Sequence, residues 1–181
     1  SENKPSSWIS SVSTPARQLL ERTTLFEQLT SQLRTRLMSA KILHQDLPPS
    51  AYQALRNTLR EFVNATRAQG SQPMLATFAA RYTLEQQAEF SDELFRSQLR
   101  YNPYLSRQAW LLSIETLNHI IHETAQELEV PVADIAAKVS GRPEYFRDFS
   151  HFTPAGHLAV ANVISEAILR EPSFAAKVVP P

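Results

Sequence analysis

The chain has 181 residues, no cysteine, a formal net charge of zero, 43% hydrophobic residues and 20% charged residues. This composition is typical of one globular domain. A neutral chain carries no basic excess for binding phosphates, so we expect no nucleic-acid partner. No apolar run approaches the roughly 18 residues of a membrane span, so none is predicted. The lack of cysteine excludes disulfides and thiol catalysis but leaves the cellular compartment open.

The glycines and the first residues of the chain bear on nucleotide binding and on the start of the domain. The three glycines are Gly70, Gly141 and Gly156, and their spacing excludes the glycine-rich loops that cradle nucleotide phosphates. Residues 1–13 form a polar, serine-rich segment that starts at Ser1 without a methionine. We expect this start to be a cut into a longer polypeptide or a processed end.

Two helices are predicted before the first strand. A Thr-Pro start and apolar residues at three- and four-residue steps predict a helix over residues 14–41, in one or two pieces. A second amphipathic pattern predicts a helix over residues 50–69, which stops at Gly70 because glycine suits a left-handed cap. Residues 73–79 are a short apolar run without polar alternation, which predicts a strand buried on both faces.

The next part of the chain repeats the order of helices followed by a strand. A capping box at Thr83 predicts a helix that continues to a break at residues 100–104. The longest apolar stripe predicts a helix over residues 106–129. Residues 130–135 are short, apolar and β-branched, and predict a second strand.

A loop over residues 136–152 is predicted to lead into the last helix. That helix runs from Pro154 to about Arg170, and residues 172–181 form a tail without an amphipathic pattern. The predicted buried face of this helix consists of Leu158, Ala161, Ile164 and Ile168.

The two strands define the expected architecture. Strands joined by a long helical crossover pair in parallel with a right-handed connection. Two strands are fewer than the usual four to six and would leave both edges open. Residues 14–171 are therefore expected to be the carboxyl-terminal portion of an open α/β sheet.

Asp148 and His151 are the residues that suggest chemistry. They lie three positions apart in the loop that follows the second strand, where open α/β sheets bind their ligands. A carboxylate on one nitrogen of an imidazole fixes its tautomer and stabilises its charged form, which leaves the other nitrogen free to accept a proton. The structural alternative is that Asp148 caps a loop and His151 is an ordinary surface histidine.

Other side chains were weighed as rivals. Asp148, His151 and His157, perhaps with His119 and His122, offer zinc-type ligands, but the usual H-E-x-x-H spacing is absent. We expect His119 and His122 to lie on a helix surface and His157 to pack near the start of a helix. For Asp134 we favour helix capping, and for Trp110 core packing, over a role in chemistry. None of Ser71, Ser113, Ser140 and Ser150 has the sequence context of a nucleophile turn.

The block Asp148-Phe149-Ser150-His151-Phe152-Thr153-Pro154, followed by a helix rich in alanine and valine, resembles the last conserved block of the SGNH or GDSL hydrolases, with its D-x-x-H signature. Residues 72–79 and 130–135 look like the family's fourth and fifth strands. The resemblance covers roughly residues 50–170. It implies a three-layer, flavodoxin-like α/β fold, of which this chain is the helix-rich carboxyl-terminal half with about two parallel strands.

The resemblance also implies an activity. It is hydrolysis of a carboxylic ester by a Ser-His-Asp triad, in which His151 is the base and Asp148 its orienting acid, without a cofactor or a metal. The substrate would be a small-molecule, carbohydrate or lipid ester. The family's G-D-S turn and oxyanion-hole residues have no match in these residues, so we expect the nucleophile upstream of Ser1, in an N-terminal half that would be the partner of this chain. The alternatives are an inactive relative, or a helical interaction module in which residues 14–41 and 50–69 bind a partner.

Overall fold

The computed structural model describes residues 43–172 and 174, a helix-rich, mixed α/β arrangement. The polar segment 1–13, the predicted helix 14–41 and most of the predicted tail lie outside the described residues. No helix within the described part is long and apolar enough to cross a membrane. The elements are α1 (Pro49–Ala68), β1 (Leu75–Ala76), α2 (Asp92–Leu99), α3 (Arg107–Glu127), β2 (Val132–Ala133), α4 (Ile135–Val139) and α5 (Pro154–Arg170).

Helices α1 and α3 form close to their predicted bounds and pack against each other. Proline in the first turn favours the start of α1, and Gly70 follows its end with a φ of 71°, in the left-handed region. The Ser106 hydroxyl caps α3 by accepting a hydrogen bond from the N–H of Ala109. Two ion pairs, Arg56–Glu123 at 2.6 Å and Arg60–Glu127 at 2.7 Å, connect the facing sides of the two helices.

The two strands pair in parallel, as predicted, with Leu75 opposite Val132. Each strand has two residues, so the predicted spans 73–79 and 130–135 were too long. The last ladder bond runs from the N–H of Thr77 to the carbonyl of Ala133, at 3.2 Å. Directly after it, Asp134 turns the chain into α4, and the ladder stops because its partner strand has ended.

Helices pack on one face of this small sheet and, on the other face, against β2 only, because Ala76 of β1 is exposed. Leu75 and Val132 share one face and pack with residues of α1 and α3 around Val63, which is fully buried. Successive strand residues point to opposite faces, so Ala133 lies on the other face, where α5 packs against β2. The prediction that the first strand is buried on both faces is therefore wrong at Ala76, while β2 has helices on both sides.

The segment between β1 and α3 differs from the prediction. The predicted helix from Thr83 does not form: the chain makes turns and a short 3-10 helix, Gln87–Glu89, and α2 starts only at Asp92, capped by Ser91. The Gln86 side chain does bond back to the N–H of Thr83, at 3.2 Å, but its amide also donates to the carbonyl of Gly141. This long-range bond fixes the segment as a turn.

The predicted loop 136–152 contains regular structure at its start. Helix α4 and a 3-10 turn, Pro143–Tyr145, occupy much of it. Asp134 caps α4 by accepting a hydrogen bond from the N–H of Ala137 at 3.2 Å, as predicted. The same oxygen accepts from the Thr77 hydroxyl at 2.9 Å, which joins the ends of the two strands.

Helix α5 has its predicted bounds, but part of its predicted buried face was wrong. Leu158 is 64% exposed, and Ala161 is also exposed. The face that packs against α4 and the preceding turn carries Ala159, Val160, Val163 and Ile164. The rotation follows from the first turn of α5, where the buried Gly156 lies against the backbone of Tyr145.

Candidate active site

Asp148 and His151 lie in a tight turn over residues 146–152. Phe146 and Phe152 form an antiparallel bridge across its base, and their rings lie 5.1 Å apart. The N–H of Arg147 donates to the carbonyl of His151 at 2.8 Å. The turn is therefore closed by backbone and by aromatic packing, independently of the two polar side chains.

The turn brings Asp148 and His151 into direct contact. Nδ1 of the imidazole lies 2.7 Å from Oδ2 of the carboxylate. The other carboxylate oxygen accepts hydrogen bonds from the backbone N–H groups of Ser150 and His151, both at 2.9 Å. Aspartate favours such turns because its short side chain reaches the backbone two and three residues ahead. Both oxygens of Asp148 are therefore engaged, and the carboxylate has a fixed orientation.

These bonds also set the charge of Asp148. Burial raises the pKa of this carboxyl, but the hydrogen bonds from the two backbone N–H groups and from the imidazole outweigh it, so the pKa lies below its ordinary value. The adjacent Arg147 is not a cause of the shift; its backbone N–H helps to close the turn. The carboxylate is ionised at neutral pH and is suited to stabilise an imidazolium.

The other nitrogen of His151 is free to react. When Nδ1 donates to the carboxylate, neutral imidazole has a lone pair on Nε2. The side chain is 68% exposed, and its ring lies 6.4 Å from the ring of Phe149. Within residues 43–172, no serine hydroxyl forms a hydrogen bond with this imidazole. The pair has the arrangement of a base and its orienting acid, without a nucleophile in this part of the chain.

Arg81 supports the turn and was missed by the sequence reasoning. Its guanidinium donates to the carbonyl of Phe146 at 2.9 Å, and its backbone N–H donates to the carbonyl of Phe149 at 3.1 Å. Arg81 follows β1, so these bonds bring the segment after β1 against the turn that follows β2. No local pattern marks this arginine, because its partners are more than 60 residues away.

The start of α5 supports the turn from the other side. The N–H of Thr153 donates to the carbonyl of Tyr145 at 2.9 Å, and its hydroxyl donates to the carbonyl of Glu144 at 3.1 Å. The same hydroxyl accepts from the N–H of Gly156 and caps the helix. The Thr-Pro start recognised in the sequence therefore anchors the turn as well as the helix.

The remaining histidines lie away from this pair. His119 and His122 are on the exposed side of α3, as predicted, where they face Glu123 at 3.0 Å and Asp134 at 3.4 Å. The ring of His157 packs against Phe152 near the start of α5, also as predicted. Among residues 43–172 and 174, no group of three or more carboxylate and imidazole side chains is placed to hold a metal ion.

Ser113 and Ser140 form structural hydrogen bonds, and Ser71 lies far from the turn that carries His151. The Ser113 hydroxyl donates to the carbonyl of Trp110, and the Ser140 hydroxyl accepts from the N–H of Ala80. Ser71 precedes β1 and therefore lies at the opposite end of the sheet. Trp110 packs in the core as predicted, edge-on to Phe149 at 5.6 Å.

Comparison of the chain with models of protein families, with curated proteins and with solved structures found no match in any of the three. The observations that bear on function are therefore the hydrogen-bonded pair Asp148–His151, the exposed imidazole, and the supports that hold the turn.

Proposed function

We propose that this chain provides the acid–base part of an SGNH-type carboxylic-ester hydrolase. The observation that carries the proposal is the 2.7 Å contact between Nδ1 of His151 and Oδ2 of Asp148, with the second carboxylate oxygen held by two backbone N–H groups. This is the relation between base and orienting acid that a serine triad requires. The serine and the oxyanion-hole donors are contributed by residues other than 43–172.

The reaction follows from the free nitrogen. Nε2 of His151 takes the proton of the serine hydroxyl as its oxygen attacks the ester carbonyl carbon, which gives a tetrahedral oxyanion. The imidazolium then transfers that proton to the departing alkoxide, and an acyl-serine and an alcohol result. Water repeats the sequence through the same nitrogen and releases the carboxylic acid. Asp148 stays ionised throughout and stabilises the imidazolium.

The position of the turn in the fold also supports the proposal. The segment after β1 bonds to the turn that follows β2, so the pair lies at the carboxyl ends of two parallel strands, where open α/β sheets place their ligands. The proposed whole is a three-layer, flavodoxin-like sheet, and this chain contributes its last two strands. Its partner is the N-terminal half that carries the remaining strands and the nucleophile.

The test uses the complete polypeptide in which this chain occurs. A serine-directed fluorophosphonate should label it, and it should hydrolyse p-nitrophenyl esters. Asp148→Asn should lower kcat by about four orders of magnitude, because the amide stabilises the wrong tautomer, and His151→Ala should abolish labelling. His119→Ala, an exposed histidine on α3, is the matched control and should retain activity. Labelling that persists unchanged in His151→Ala would refute the hydrolase and favour an interaction module.

A further inference from the structure

A cavity of about 370 Å³ lies between α1 and α3, next to the turn that carries Asp148 and His151. We propose that it binds the acyl chain of the ester, and that this chain is an alkyl group of medium length. The inference rests on the proposed function. The residues that matter most for it are Tyr52, Leu55, Phe78, Trp110, Leu117 and Phe149.

The lining of the cavity is mainly apolar, and two of its hydroxyl groups are already engaged in hydrogen bonds. The Tyr52 hydroxyl donates to Asp46 at 2.8 Å, and the Ser113 hydroxyl donates to the carbonyl of Trp110 at 2.7 Å. Ser150 adds one further hydroxyl, and the other lining side chains are aliphatic or aromatic. A sugar would lose most of its hydrogen bonds to water there, whereas an alkyl group gains from leaving water.

The cavity connects to the reacting histidine through Phe149. Its ring lines the cavity, packs edge-on to Trp110 at 5.6 Å and faces the ring of His151 at 6.4 Å. Ser150, which lies between Phe149 and His151 in the sequence, also lines the cavity. The cavity therefore reaches the residues that directly precede His151, and in the proposed complex the ester carbonyl lies at that end of the alkyl chain.

The walls of the cavity are held in place. The ion pairs Arg56–Glu123 and Arg60–Glu127 join α1 to α3. Phe78 is 42% exposed, and its backbone is fixed by Asn118, which accepts from its N–H at 2.7 Å and donates to its carbonyl at 2.9 Å. These contacts indicate a preformed site, as is usual for small-molecule binding.

The size of the cavity sets the expected chain length. Small-molecule sites span about 300–1,000 Å³, so this one is near the lower end. It suits a chain of medium length better than a long fatty acyl chain. Each methylene moved from water into such a site strengthens binding by about four-fold, so affinity should rise steeply with length and level off once the cavity is full.

Binding is measured without catalysis, so that failure of this inference and failure of the proposed hydrolase are distinguished. The probes are 2-hexanone, 2-octanone and 2-decanone, because methyl ketones carry an alkyl chain and a carbonyl but no leaving group. The readout is the fluorescence of Trp110 in a Trp8→Phe background, since these are the two tryptophans of the chain. We expect a saturable change, with the Kd about 16-fold lower for 2-octanone than for 2-hexanone, which is two methylenes shorter.

Two matched variants locate the site. Ala51 lines the cavity, so Ala51→Phe should fill it and weaken 2-octanone binding by at least ten-fold. Ala65 is exposed on the same helix, so Ala65→Phe should leave binding unchanged. Circular dichroism melting is the check that both variants fold. Equal binding by the two variants, or a Kd that does not depend on chain length, would overturn the inference.

Activity assays separate the acyl from the alcohol side of the ester. With the complete polypeptide, kcat/KM should rise with acyl length in p-nitrophenyl esters and stay flat with alcohol length in alkyl acetates. The opposite pattern would overturn the assignment to the acyl chain. Chain-length-dependent ketone binding together with no hydrolysis of any ester would refute the proposed hydrolase and retain the alkyl site.

Discussion

Gly156→Ala tests how the turn that carries Asp148 and His151 is held. Glycine lies here in the first turn of α5, and alanine normally stabilises a helix by up to about 1 kcal/mol over glycine. A Cβ at this position would lie 2.1 Å from the carbonyl oxygen of Tyr145 and 3.2 Å from Cβ of Phe152. Helix propensity and packing therefore predict opposite signs for the same substitution.

The magnitude follows from the contacts that must move. The backbone of α5 and of Tyr145 must separate until the 2.1 Å approach reaches the 3.4 Å of ordinary contact. That movement strains or breaks the two hydrogen bonds from Thr153 to the carbonyls of Tyr145 and Glu144. Overpacking costs about 1–3 kcal/mol and each hydrogen bond about 1 kcal/mol. After the gain in propensity, we expect Gly156→Ala to lower the free energy of unfolding by about 3 kcal/mol.

Urea denaturation followed by circular dichroism measures this change. The control is Ala161→Gly on the exposed side of the same helix, which should lose only about 1 kcal/mol through propensity. A Gly156→Ala variant as stable as the native chain, or more stable, would refute the close approach of α5 to Tyr145. It would also remove the reason given for the orientation of the helix.

Three further predictions concern the turn and the cavity. The pKa of Asp148 is lowered on folding, so its ionised form stabilises the fold at neutral pH, and this contribution is lost as the pH falls below about 4. In urea melts, Asp148→Asn should therefore flatten the decrease in the free energy of unfolding at acid pH, and an unchanged decrease would contradict this. Arg81→Met removes a charged hydrogen bond to the turn and should lower the free energy of unfolding by about 2 kcal/mol in urea melts, whereas no loss would show that the guanidinium is dispensable. Asn118→Leu leaves the peptide groups of Phe78 unpaired and should destabilise the chain by about 1 kcal/mol and weaken 2-octanone binding, while unchanged ketone binding would show that Phe78 needs no such support.

Much of the candidate site could be predicted from the sequence because its contacts join residues that are close in the chain. Asp148 and His151 are three residues apart, and aspartate bonds naturally to the backbone two and three positions ahead, so the sequence places the carboxylate next to the imidazole within one turn. The supports are not local: Arg81 reaches the turn across 65 positions. Nothing in the residues around Arg81 distinguishes it from an ordinary surface arginine.

The sequence by itself determined the long helices and the contact between Asp148 and His151, because caps such as Ser106 and Thr153, apolar periodicity and aspartate turns act within a few residues. It also determined the parallel pairing, because a long helical crossover joins the two strands. Only the tertiary structure decided where the strands end and which face α5 buries. It also decided that Gln86 holds a turn where a helix from Thr83 was predicted. It also decided the apolar cavity that Phe149 and Ser150 line. These features depend on contacts between distant segments, and such contacts leave no periodic signal in the chain.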